Sequence, residues 1–338
     1  MNLFVYEHIT SGALINEALP ASLAHEGNTM LVALINDLVQ LADINLIILR
    51  DHRLAPLPDI IHYHQCYTIH SEDVFQQYYN LALNQADAVL PIAPETGYVL
   101  SSIQQSILDS NTRLLASNPK ASILCSDKYR CYQHLTTHNI ATVATVLATE
   151  KAHRLYSASK AYIVKPRDGA GCIDTLVFKQ TDALELWLEK QPESYDNLII
   201  QPYIEGHHLS LSILCSDSDC MVLAINQQHI KHSKNQLIFC GCTVNGASES
   251  QLPFSAASKL AKQVYHAIEG LWGLIGIDLI VTENAILVVD INPRLTSSYV
   301  GLANSIKQNP AGLLFSMIEH NTLPSSTQLQ HHPVGVHV

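Results

Sequence analysis

The feature that most constrains the fold is a change of pattern near residue 115. Before it, short apolar runs alternate with amphipathic segments of helical spacing. NLFVYE (2–7), INLIILRD (44–51) and DAVLPIAPE (87–95) read as strands. Between and after them lie LPASLAHEGNTMLVALINDLVQL (19–41), SEDVFQQYYNLALNQA (71–86) and TGYVLSSIQQSILDS (96–110), which read as helices. In the first, Leu23, Met30, Leu31, Leu34 and Leu38 share one side. Ser71 is the candidate N-cap of the second. Strand–helix repetition of this kind builds a parallel sheet, because parallel neighbours need a crossover.

After ASNPKAS (116–122) the order changes. SDKYRCYQHLTTHNI (126–140) reads as a short helix capped by Ser126. KAYIVKPRDGAGCIDTLVFKQ (160–180) reads as two strands around a glycine loop, followed by a helix over TDALELWLEK (181–190). NLIIQPYIEGHHLSLSILCSDSDCMVLAINQQHI (197–230) holds two or three strands. AASKLAKQVYHAIEGLWG (256–273) is a helix with Leu260, Val264, Ile268 and Leu271 on one face, and LIGIDLIVTENAILVVDINPRL (274–295) is an antiparallel hairpin turning at Glu283-Asn284. The expected fold class is α/β, with α+β character in the C-terminal half. The expected units are 1–115, 116–200, 201–325 and a loose tail over 326–338.

Composition narrows the function. The chain has 338 residues, 47% of them apolar and 14% charged, so it can bury a large core. Its net charge of −11 argues against a nucleic-acid binder. No stretch approaches the ~20 apolar residues of a membrane span. MNLFVYEHIT carries an early Glu7 and no basic segment, unlike a secretory signal. The eight cysteines form no CxxC pair and are expected as free thiols in a reducing cytoplasm.

The hairpin carries the first chemistry. Asp290, Asn292 and Arg294 alternate, so they share one side of a strand, and Asp278 lies on the neighbouring strand. Two carboxylates and an amide oxygen form a hard-oxygen set suited to Mg²⁺. Exposed polar residues on a one-faced sheet would give the same pattern. In VKPRDGAGC (164–172), Lys165 ends a strand just before Asp168, Gly169 and Gly171. Backbone N–H groups of such a loop can approach phosphate oxygens, although a plain hairpin turn is the simpler reading. The GxxxxGK[ST] and GxGxxG spacings are absent. At IIQPYIEG (199–206), Pro202 interrupts the ladder, and its carbonyl with the Ile204 N–H could serve a planar base or an ordinary bend. His62, His64, Cys66 and His70 offer a zinc-like spacing, which chance clustering among 18 histidines also explains.

The ordered series SDK, VKP…DGAG, IIQPYIEG, GIDLIV and VVDINPR resembles the ATP-grasp superfamily of carboxylate–amine ligases over about Ser126 to Arg294. VYEHITSG, PIAPETGYVL, KPRDGAGC and DINPRLTSSYVGL are similar to the tyramine–glutamate ligases, which serve synthesis of furan-type one-carbon carriers such as methanofuran. The resemblance implies an ATP-grasp fold, an N-terminal parallel-sheet domain followed by two α+β subdomains clamping ATP. It implies that Lys128 and Lys165 contact phosphates and that Asp168–Cys172 forms a lid over them. Gln201 would hold the adenine amino group, the Pro202 carbonyl and Ile204 N–H the adenine edge, and His208 the ribose. Asp278, Asp290 and Asn292 would bind Mg²⁺ or Mn²⁺, and Arg294 would stand near the transferred phosphoryl group and substrate carboxylate. In this family His208 is commonly Glu, and Asp290 is commonly the longer Glu.

On the substrate side, Glu7, Thr10 and Ser11 at the end of the first strand and Glu95 at the end of another are candidates, since ligand crevices lie at the carboxyl ends of parallel strands. Each carboxylate could equally be a helix N-cap or a surface carboxylate. Tyr299 could wall the amino-acid site or pack in the core. The expected activity joins an amino-acid carboxylate, from L-glutamate, to an amine such as tyramine. Ligation of another amino acid and amine, or ATP binding without turnover, remains open. Small molecules are the expected partners, and a homodimer is compatible with this reading.

Overall fold

The computed structural model describes residues 1–58, 64–149, 161–169, 172–190, 195–325 and 329–337. The first sheet is parallel, in the order β3-β2-β1-β4-β5. Its strands are β1 (Asn2–Glu7), β2 (Asn45–Asp51), β3 (Gln65–Ile69), β4 (Ala88–Ile92) and β5 (Arg113–Leu114). The helices α1 (Ala21–Leu38), α2 (Glu72–Gln85) and α3 (Val99–Asp109) supply the crossovers. Both faces of the sheet are buried, which explains its nearly continuous apolar runs. Leu3, Val5, Leu46, Ile48 and Leu90 point to the α1 side. Phe4, Tyr6, Ile47, Leu49 and Val89 point to the opposite face, where Val74, Phe75 and Ile103 cover them. The loops after β1 and β4 leave the sheet at its carboxyl edge.

Two helices follow, α4 (Pro119–Ser126) and α5 (Lys128–Thr137). The sequence reading missed α4 and gave the α5 cap to Ser126. Asn118 caps α4 by accepting from Ala121 N at 2.8 Å, and Pro119 opens the first turn. Asp127 caps α5, accepting from the N–H groups of Tyr129 and Arg130 at 3.2 and 3.0 Å. Its carboxylate also takes the Arg167 fork at 2.7 and 2.6 Å. Ser126 ends α4 instead, donating to Ile123 O at 2.9 Å.

The second sheet is built of antiparallel pairs, in the order β14-β13-β10-β11-β12-β8-β7-β9-β6. Its central lobe holds β6 (Val146–Leu147), β7 (Tyr162–Pro166), β8 (Leu176–Phe178), β9 (Leu198–Pro202) and α6 (Thr181–Glu189). Tyr162, Val164, Phe178, Leu184 and Ile200 form its small core. The C-terminal lobe holds β10 (His207–Cys215), β11 (Cys220–Ser233), β12 (Gln236–Val244), α7 (Phe254–Ala267), β13 (Gly273–Val281) and β14 (Ile286–Asn292). The tip of the β11–β12 hairpin reaches the central lobe, where Val177 N donates to Asn235 O at 2.7 Å and Leu237 N to Thr175 O at 3.1 Å. A cleft lies between the lobes.

Two further helices, α8 (Tyr299–Ile306) and α9 (Pro310–His320), return to the first sheet. Leu302, Leu314 and Met317 share a core cluster with Leu31, Leu34 and Leu38 of α1. The tail is not loose throughout. Val334–His337 forms β15, antiparallel to β12, and Val336 is buried. Gly241, at φ +116°, permits this approach, because a Cβ there would collide with the Val336 carbonyl.

Candidate active site

The β13–β14 hairpin sets the floor of the cleft. Asp278 and Asp290 are direct cross-strand partners, and Asn292 lies opposite Gly276. The adjacent residues Ile277 and Ile291 enter the core behind them, as does Val288 across a bulge in the ladder, so the carboxylates face the cleft together. Asp278 accepts from Gln228 Nε2 at 2.8 Å and from Asn292 Nδ2 at 3.2 Å. Burial, then the Asp290 charge, push its carboxyl up to about 6. Two carboxylates and an amide on one face are hard oxygen donors, a set that fits Mg²⁺.

Two lysines face these acids. Lys128, at the first turn of α5, places Nζ 2.7 Å from Asp290 Oδ2 and donates to Gly169 O at 2.5 Å. Burial alone would lower its pKa, but the Asp290 carboxylate holds it above the ordinary value. Lys165, on β7, is pulled down to about 8 by burial and by Lys128. Both lysines line one cavity of about 190 Å³ with Asp278, Asp290, Asn292 and Arg294. Gly169, Gln201, Pro202, Ile204 and His208 line it too. Gln201 Nε2 is engaged by Thr145 Oγ1 at 2.8 Å, leaving the amide oxygen as an acceptor. His208 is pushed below its usual pKa, chiefly by burial, and a neutral imidazole can both donate and accept.

The β4–α3 loop reaches across from the first sheet. Arg294 Nη2 donates to Glu95 Oε2 at 2.9 Å, and Arg294 Nε makes an ion-pair contact with Glu95 Oε1 at 2.9 Å. The pairing holds Arg294 above its usual pKa against the effect of burial. The next residues hold the glycine loop: Thr96 Oγ1 donates to Asp168 O at 3.1 Å and Gly97 N to Asp168 Oδ2 at 2.9 Å. Gly171 lies outside the described residues.

The other substrate-side candidates lie elsewhere. Glu7 is buried, accepting from Thr10 N at 2.7 Å, Thr10 Oγ1 at 2.6 Å and Ile9 N at 3.3 Å. Ser11 Oγ donates to His8 O at 3.0 Å. None of the three lines the cavity; they brace the turn after β1. Tyr299 is a core residue, packed near α1 and donating to Asp37 Oδ2 at 2.7 Å. His62 is outside the described residues, His64 and His70 are exposed, and no group of three His, Cys, Asp or Glu suited to a metal occurs among the described residues.

Sequence reasoning missed Glu26, Gln228 and the run Thr296–Ser298, all of which line the cavity. A signal for Glu26 was present. It falls between Leu23 and Met30 on the apolar stripe of α1, where a carboxylate is out of place.

Residues 44–121 match the pre ATP-grasp 3 domain. A tyramine–L-glutamate ligase of Methanocaldococcus fervens is 28% identical over 217 residues, 64% of this chain and 61% of the relative. That of Methanocaldococcus jannaschii is 26% identical over 225 residues, 67% and 60% of the two chains. The chain thus spans about three fifths of the length of these curated relatives. Among solved structures, a putative ATP-grasp superfamily protein from Archaeoglobus fulgidus superposes with a TM-score of 0.70 at 23% identity, covering 94% of this chain and 88% of that one. An L-amino acid ligase from Bacillus licheniformis gives 0.65 at 14% identity, covering 98% and 77%. These two likenesses concern the fold. Residues 125–298, more than half the chain and containing the lysines, the glycine loop and the acidic hairpin, match the ATP-grasp domain, and the chain belongs to that family.

Proposed function

We propose that the protein is an ATP-dependent, ADP-forming ligase that joins an amino-acid carboxylate to an amine through an acyl phosphate. One observation carries this reading: the paired carboxylates of the β13–β14 hairpin face Lys128, Lys165 and Arg294 in a single cavity. A carboxylate is a poor acyl donor at neutral pH, and phosphorylation gives it a leaving group. Lys165 and Lys128 neutralise charge on the transferring phosphoryl oxygens, fixed in advance by burial. Asp278, Asp290 and Asn292 would hold Mg²⁺, which supplies further charge neutralisation there. Arg294, oriented by Glu95, meets the substrate carboxylate and steadies the oxyanion formed when the amine attacks. The intact acidic and basic set favours turnover over ATP binding alone.

For the substrates we propose the side-chain carboxylate of L-glutamate and tyramine or a close aryl-ethylamine, within synthesis of a furan-type one-carbon carrier. Support comes from the motif resemblance and from the two relatives named as tyramine–L-glutamate ligases. The amine must lose its proton before attack, so the rate should rise from neutral to alkaline pH. The test is incubation with ATP, Mg²⁺, L-glutamate and tyramine, following ADP and product mass. Product from another pair but none from this one would remove these substrates and keep the ligase; no ADP from any pair would remove the ligase.

A further inference from the structure

Three carboxylates line the cavity, and two of them, Asp278 and Asp290, belong to the proposed metal set. The third is Glu26. It comes from α1 and is half-buried. Its carboxylate has no hydrogen-bond or ion-pair partner among the described residues. The other acidic substrate-side candidates are already engaged: three donors satisfy Glu7, and Arg294 Nη2 donates to Glu95. Glu26 therefore offers an unused anionic acceptor to the cavity.

Its placement is set by the fold. Gly27 lies against the Glu7 carboxylate, and a Cβ there would come within 2.7 Å of Glu7 Oε1. The bare backbone lets α1 press onto the end of β1, which carries Glu26 to the cavity wall. Glu26 is also close enough to Arg294 for its charge to act on the guanidinium. In the proposed reaction the acyl carbon sits at Arg294, and the nucleophile must arrive beside it. An amine is a cation at neutral pH, and the carboxylate beside Arg294 complements it.

We propose that Glu26 is the docking residue for the ammonium group of the amine substrate. This rests on the ligase reading above and assigns its amine site. A carboxylate accepting from an ammonium makes a charge-assisted hydrogen bond, one of the stronger polar contacts a protein offers. A neutral nucleophile has no need of it.

The test compares wild type, Glu26→Gln and Glu26→Asp in two assays. The first couples the amino acid to an amine that wild type accepts. The second replaces the amine with hydroxylamine, neutral at pH 7, and measures hydroxamate. Glu26→Gln should raise the amine KM by about 10- to 100-fold, with the KM values for ATP and amino acid little changed. Hydroxamate formation should persist, and Glu26→Asp should recover part of the amine KM. An unchanged amine KM, or equal losses in both assays, overturns the dock and leaves the ligase standing. If tyramine fails in wild type but another ammonium-bearing amine is coupled, the substrate reading falls and the dock is measured with that amine. If wild type forms hydroxamate but couples no ammonium-bearing amine, the dock falls with the amine reading.

Discussion

At the scale of single residues, the site is held by charges that do not sit comfortably without their ligands. Asp278, pushed up to about 6, binds its proton more tightly folded than unfolded. Its contribution is most favourable below about pH 4 and is lost as pH rises through 6. Glu95, by contrast, is balanced by Arg294. Asp278→Asn should therefore raise metal-free stability at pH 7.5 by about 1–3 kcal/mol, with the difference vanishing near pH 4. Urea denaturation of both proteins in chelator at the two pH values checks this. Asp290 pairs with the buried Lys128 at 2.7 Å. Asp290→Asn keeps the shape but removes the charge, and the ligation rate should fall by about 10²-fold or more. Near-normal ADP release would remove Asp290 from the reaction.

At the scale of elements, the glycine loop is tied to a turn far away in sequence. The Asp168 carboxylate accepts from Gly97 N, beyond the end of β4. Asp168→Ala should loosen that tie, raising the ATP KM roughly 5-fold and speeding hydrogen exchange at Gly97 and around Arg167–Gly169. Identical exchange in variant and wild type would show that the contact restrains nothing. The loop and the acidic hairpin were legible because their signals are local. Alternation alone puts Asp290, Asn292 and Arg294 on one face. Other elements were hidden by ambiguous punctuation. Asn118-Pro119 reads as a turn but caps α4, and Asn309-Pro310 does the same for α9, where Asn309 accepts from Gly312 N at 2.9 Å. β12 was missed because Gly241 interrupts its apolar run, and that glycine is there for the strand Val334–His337 at the far end of the chain. The Glu95–Arg294 and Asp127–Arg167 pairs join residues too distant in sequence for any spacing rule to connect.

At the scale of the whole molecule, distant parts of the chain complete one another's cores. The α1 face of the first sheet is sealed by α8 and α9, and the end of the chain seals β12. Removing residues 331–338 would expose the edge of β12 and the pocket of Val336. That should destabilise the protein by about 2–4 kcal/mol, read as a lower urea midpoint. Gly241→Ala should act in the same direction, by preventing the strand from docking. If neither change moves the midpoint, the terminal strand contributes nothing to the fold. The β4–α3 turn has a larger reach. Glu95 grips the arginine on one side, while Thr96 and Gly97 grip the glycine loop on the other. A substrate carboxylate that draws Arg294 away from Glu95 must tug on the same short stretch of backbone. Nucleotide and amino acid would then hear of each other's arrival through three adjacent residues. Such conversation is symmetric at equilibrium: whatever factor the amino acid applies to nucleotide affinity, the nucleotide returns to the amino acid. Calorimetric titration of a non-hydrolysable ATP analogue with and without the amino acid, and then in the reverse order, should give one and the same factor. Glu95→Gln should bring that factor closer to one.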